Sequence, residues 1–298
     1  MEKFTNFKRV QIKIQFITLA LYKTNIYAIL IIIYIYKTQT VSTSTRRVSA
    51  SILYIIIVYL LIRISSVTMK VYCVSDGPPS LAVRMTLKAL KIPHELVNVD
   101  FGAGEHMTDE YAKMNPQKEI PVLDDDGFFL PESVAIMQYL CDKYHPESPL
   151  YPKDPKQRAI VNQRLYFNLA FYYSSISAYV MAPIFFDYQR TPLGLKKVHI
   201  ALDTFETYLK RAGTKYAAAD NLTIADFPLI TATLCLEAIN FSLDKYPLVK
   251  KWYQTFKNEY PELWAIGNDG MKEIADFEKN PPDLSGMDHP IHPIKKVK

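Results

Sequence analysis

From Met69 onward the polar and apolar positions follow two periods in turn. Met69–Ser75 (MKVYCVS) alternates and is β-branched, which predicts a strand. Asp76-Gly77-Pro78-Pro79 breaks it, and Ser80 stands where a helix N-cap belongs. Leu81, Val83, Leu87 and Leu90 then recur at helical spacing up to Lys91. His94–Asp100 reads as a second strand. A polar stretch leads to Ile120-Pro121-Val122-Leu123, and Asp124-Asp125-Asp126-Gly127 is a hairpin signal before Phe128-Phe129-Leu130. Glu132-Ser133 opens a helix through Tyr144. The order is therefore β-α-β followed by β-β-α.

After Leu150 the strand period disappears. Tyr151–Pro155 reads as a linker, and one long helical pattern runs from about Pro155 to Val180. Helical stretches follow at 193–211, 223–238, 246–258 and 261–276. The fold class is an α/β domain at 69–148, then an all-α domain at 155–276, with a flexible Pro-rich tail at 277–298.

Residues 1–68 follow a different pattern. They hold two apolar runs, Ile26–Tyr36 and Ile52–Ile62, each shorter than the ~20 residues a bilayer span needs. Two readings stand: a membrane anchor, or an extension that is no functional module, with the mature protein opening at Met69. The second is preferred, which makes membrane anchoring the lesser expectation. Charge sharpens the division. The chain of 298 residues has a net charge of +5, yet residues 1–68 carry nine basic residues and one acidic, a net of +8. The rest, with 26 basic and 29 acidic residues, nets −3, and it holds all the glycines and prolines. A mildly acidic body argues against a nucleic-acid partner. Cys73, Cys141 and Cys235 lie too far apart in sequence for a CxxC pair or a four-ligand zinc site, and suit a reducing compartment. No metal is expected.

The segment NPQKEIPVLDDDGFFLPESVAIMQYL, the box Asn221–Asp226, and QRLYFN followed by APIFFDY together resemble the cytosolic glutathione transferases, chiefly the insect delta and epsilon classes. VSDGPPSLAVRMTLKAL and the EKNPP tail are similar to the transferase domain of insect FLYWCH zinc-finger proteins, although the finger motifs are absent. The resemblance implies a thioredoxin-like first domain, glutathione as co-substrate, and a hydrophobic electrophile as second substrate. It also implies a homodimer in the cytoplasm, with the nucleus as a further location by likeness to the FLYWCH protein.

By the same resemblance, a cis Pro121 turns the backbone of Ile120 toward the glutathione cysteine. Glu132 and Ser133, at a helix start, receive the γ-glutamyl ammonium and carboxylate. His106 and Lys118 meet the glycine carboxylate. Thr223 and Asp226 form a structural capping box. Val134 stands where delta-class enzymes commonly carry Arg. Tyr166, Phe167, Tyr172, Tyr173 and Phe185 are candidates for the acceptor pocket.

One departure bears on catalysis. Insect transferases place a serine just before the proline pair, and its hydroxyl favours the glutathione thiolate. Here that place is Gly77. Ser75 and Ser80 are the nearest stand-ins. Two functions stay open at this stage: a conjugating enzyme, or a glutathione-binding interaction module with little chemistry.

Overall fold

The computed structural model describes residues 69–287 and 289–293. Residues 1–68, with both apolar runs, lie outside the described residues, so the anchor expectation does too. The remainder forms one compact unit.

Strand β1 (Met69–Cys73) buries alternate residues Met69, Val71 and Cys73, as its period predicts. Helix α1 (Pro78–Leu90) follows, then β2 (Glu95–Asn98) and, within the polar stretch, a short helix α2 (Asp109–Met114). Thr108 caps α2, accepting the Tyr111 N–H at 3.2 Å. The hairpin β3 (Val122–Asp125) and β4 (Phe128–Pro131) turns at Asp126 and Gly127, whose φ values of 57° and 87° match the left-handed turn that Asp-Gly favours. The sheet order is β2-β1-β3-β4, with β2 parallel to β1 and the other two pairs antiparallel. Helix α3 (Ser133–Tyr144) packs beside α1 on this sheet.

The helical part begins with α4 (Pro155–Phe167), capped by Asp154. The expected single helix to Val180 is interrupted. Asn168–Tyr172 winds as a π turn before α5 (Tyr173–Tyr179) and a short α6 (Met181–Phe185). Such turns insert a residue and rotate the following face. Helices α7 (Pro192–Ala212), α8 (Asp226–Ala238), α9 (Pro247–Glu259) and α10 (Pro261–Lys279) complete it. Helix α8 is buried along nearly its whole length and packs on α1 and α10.

The box at the start of α8 differs from the reciprocal arrangement expected. Asp226 accepts the Thr223 N–H and hydroxyl at 2.9 and 3.0 Å, while its own N–H donates to the Thr223 carbonyl. The same carboxylate accepts the Ala217 N–H and the Trp252 indole N–H. Burial raises its pKa against the pull of those donors. It ties three segments together rather than capping one helix.

The tail is a second correction. Helix α10 continues to Lys279, and Leu284 and Met287 are buried against Phe186. His292 stacks on Phe186 with centroids 4.2 Å apart, and the Asp187 N–H donates to the Pro293 carbonyl. The described part of the 277–298 segment is therefore packed.

Glycines let α10 approach α1. A Cβ on Gly270 would lie 2.7 Å from Leu81 Cδ1 and 3.1 Å from the Ser75 carbonyl oxygen. Gly270→Ala is expected to cost about 1–3 kcal/mol, the usual penalty for overpacking, read from the urea midpoint. An unchanged midpoint would refute this account of the contact.

Candidate active site

Two cavities meet where β1 and α1 face the helical domain. The smaller, about 220 Å³, is lined by Ile120, Pro121, Glu132, Ser133, Val134 and Asn168 among others. The larger, about 590 Å³, runs past Gly77, Lys118 and Tyr173 to Phe185, Phe277 and the tail. Pro78, Pro79, Glu119, Ile120 and Tyr173 line both, so they form one continuous cleft.

The Ile120–Pro121 peptide is cis. Among the described residues neither the N–H nor the carbonyl of Ile120 has a hydrogen-bond partner. They are available to pair with an extended ligand backbone. Ser133 begins α3, among the described residues its hydroxyl has no hydrogen-bond partner, and the first N–H groups of that helix lie beside it. The preceding Glu132 holds φ at 70°, a strained value for a residue with a Cβ. Val134 is buried on the same cavity and brings no charge.

Lys118 reaches the larger cavity, donating from Nζ to the Met107 carbonyl at 2.6 Å. An ammonium retains donors beyond that bond. His106 also lines the cavity, but its ring is buried and stacked on Phe101 at 4.7 Å. Burial, assisted by the charges of His289 and Lys118, lowers its pKa to about 4. At neutral pH it is uncharged. Among the described residues its Nδ1 has no hydrogen-bond partner. Of the two residues expected to meet the glycine carboxylate, His106 therefore brings no charge.

The catalytic stand-ins are corrected. Ser80 does not cap α1, because Pro78 and Pro79 occupy its first two positions and Gly77 precedes them. The Ser80 side chain is fully buried, its Oγ accepts the Val74 N–H at 3.3 Å, and it lines neither cavity. Ser75 lines the larger cavity but is exposed, and its hydroxyl donates to Glu273 Oε1 at 2.9 Å. Gly77 itself is packed. A Cβ there would sit 2.6 Å from Val74 Cγ2. Gly77→Ser, the change that would install the family's hydroxyl, should therefore cost about 1–3 kcal/mol unless Val74 is also shortened. Denaturant unfolding of the single and the Val74→Ala double variant checks this; equal midpoints for wild type and Gly77→Ser would contradict it.

Of the acceptor-pocket aromatics, Tyr173 and Phe185 line the cleft. Tyr166 is 54% exposed on α4. Phe167 packs on Phe205 and Tyr208, and Tyr172 is buried with its hydroxyl against Thr233. None of these three lines either cavity. At the π turn Tyr172 faces inward, while Tyr173, the next residue, lies on the cleft. Sequence reasoning missed Asp76, Asn168, Glu273 and Phe277, each of which lines the cleft.

The family model for the glutathione S-transferase N-terminal domain matches residues 67–142, and that for the C-terminal domain matches 175–259. The chain belongs to the glutathione S-transferase family. Glutathione S-transferase D6 of Drosophila melanogaster is 34% identical over 193 residues, covering 65% of this chain and 89% of that one. A diazinon-metabolizing glutathione S-transferase of the silkworm Bombyx mori is 66% identical, with 69% of this chain and 98% of that one covered at a TM-score of 0.67. A glutathione transferase homolog of Drosophila mojavensis with bound glutathione is 30% identical, covering 73% and 99% at a TM-score of 0.64. The fold is that of these transferases, and the protein is a glutathione transferase with glutathione as its co-substrate. These relatives do not show the narrower likeness to FLYWCH proteins. Among the described residues, no helix is long and apolar enough to cross a membrane, and no cluster of three or more His, Cys, Asp or Glu is placed to hold a metal ion.

Proposed function

We propose that glutathione lies along the cleft with its cysteine backbone on Ile120 and its γ-glutamyl end at Glu132 and Ser133. Its glycine carboxylate meets Lys118, and its sulfur points past Gly77 into the larger cavity. There the thiolate attacks an apolar electrophile held by Tyr173, Phe185 and Phe277. The observation that carries this reading is the continuity of the cleft. A small end with unpaired backbone groups and a helix start opens into a larger aromatic end, and two substrates of those characters would meet near Gly77.

Diazinon is the first electrophile to try, because the silkworm relative metabolizes it. Retention on immobilised glutathione together with turnover of a chlorinated aromatic electrophile is the expected result. Failure to be retained would overturn the reading.

The acting form is a homodimer in the cytoplasm. Phe128 and Phe129 on β4, Ile160 and Tyr166 on α4, and Leu169 after it are large apolar side chains at least 40% exposed. A second copy would cover them. The three cysteines are buried and free, as a reducing compartment favours.

A further inference from the structure

The thiol proton needs somewhere to go, and the hydroxyls near Gly77 are committed elsewhere. Ser80 faces inward and Ser75 is bonded to Glu273. The ionisable side chain immediately beside Gly77 is Asp76. It lines the larger cavity and is 8% exposed. The backbone N–H groups of its own residue and of Gly77 lie near its carboxylate at the entrance to α1 and draw its pKa down. Among the described residues no Lys, Arg or His forms an ion pair with it.

Among the described residues, the groups whose charges couple to Asp76 are acids or neutral side chains, and the one cation near by, Arg84, is bonded elsewhere. Glu273 approaches from α10, while Tyr173 of α5 and Cys235 of α8 both feel its charge. Arg84 of α1 donates to the Ser75 carbonyl at 3.3 Å. A buried carboxylate without a cation is an unfavourable charge. Burial first, and Glu273 second, raise its pKa to about 6. A base of that strength is suited to work near neutral pH.

We propose that Asp76 is the catalytic base that takes the thiol proton of glutathione. Once protonated, it donates its O–H to the thiolate, in the place where related enzymes use a serine hydroxyl. The S–H bond breaks and the O–H bond forms, so the single negative charge moves from carboxylate to sulfur without two anions meeting. The sulfur lone pair then forms the bond to the electrophile, whose leaving group departs with its own electron pair. Asp76 returns its proton to that group or to water. This rests on the reading that places the sulfur beside Gly77.

The test is the pH profile of kcat/KM with a chlorinated aromatic electrophile, for wild type, Asp76→Asn and Asp76→Glu, with glutathione affinity measured by calorimetry. Asn keeps an oxygen for the two backbone N–H groups and cannot accept the proton. Wild type should lose kcat/KM as pH falls through about 6, where the carboxyl becomes protonated and stops accepting. Asp76→Asn should lose about 100-fold at neutral pH and lack that limb, its rate climbing instead through the ordinary thiol range, with glutathione affinity unchanged. Asp76→Glu should retain an acid limb. A wild-type profile in Asp76→Asn would overturn the role of Asp76 alone, as would loss of the acid limb in both variants. Wild type that neither binds nor turns over glutathione would overturn the site reading beneath it.

Discussion

Asp226→Ala is expected to destabilise the protein on the order of 5 kcal/mol, a large share of the 5–15 kcal/mol that holds most domains folded. The reason is the number of groups left behind. Asp226 is fully buried and accepts from Ala217 N–H, Thr223 N–H, the Thr223 hydroxyl and Trp252 Nε1. Alanine would strand all four, and each unpaired buried donor costs about 1–3 kcal/mol before relaxation. Asp226→Asn should also be costly. Each carboxylate oxygen faces two donors, so either orientation of an amide turns its NH2 toward a donor pair. Urea unfolding of the purified variants measures this. An Asp226→Ala protein within about 1 kcal/mol of wild type would show that the hub relaxes in a way these bonds do not suggest.

The largest expected effect on ligand binding is at Ser133. Its hydroxyl lines the small end of the cleft with no partner among the described residues, beside the N–H groups that open α3. A hydrogen bond to a carboxylate is worth about 1.5–3 kcal/mol, so Ser133→Ala should weaken glutathione binding about 10- to 100-fold. Stability should hardly change, because no internal hydrogen bond is lost. Isothermal titration separates the two quantities. Unchanged affinity would move the γ-glutamyl group away from α3. The effect should be the sharper because Val134, the next residue, offers no cation to share the carboxylate.

Most of the fold was legible in the sequence. The alternation in Met69–Cys73, the Asp-Gly turn and the apolar period of α7, α9 and α10 depend on neighbours close in the chain, and their boundaries moved by only a few residues. What escaped was set by distant contacts. The π turn at Asn168–Tyr172 has no local punctuation, since no Gly or Pro marks it. It accompanies the burial of Tyr172 against Phe205 and Thr233. Which of Tyr172 and Tyr173 faces the cleft therefore had no local signal. Ser80 looked like a cap by residue type, but two prolines claimed the helix start. The tail has only Leu284 and Met287 as anchors, too few for a period. Asp76 stood in the sequence only within the segment that breaks the first strand, and the groups that raise or feel its charge, Tyr173, Cys235 and Glu273, lie about 100 to 200 residues later.

The residues proposed to bind glutathione at Lys118, Ile120, Pro121, Glu132 and Ser133 stood out in another way, in a dense segment from Asn115 to Leu140 whose family likeness suggested their roles. The structure adds which of them bear charge. His106 and Lys118 looked equivalent in sequence, yet one is buried and neutral while the other keeps a free ammonium face.

The central claim is that sulfur activation occurs beside Gly77 without a serine hydroxyl. A crystal structure of the protein soaked with glutathione tests it most directly. The account predicts the cysteine backbone paired with Ile120, the γ-glutamyl carboxylate on Ser133, and the sulfur within about 3.5 Å of the Asp76 carboxyl. A sulfur bonded to the Ser75 or Ser80 hydroxyl, or glutathione lying outside the cleft, would contradict it.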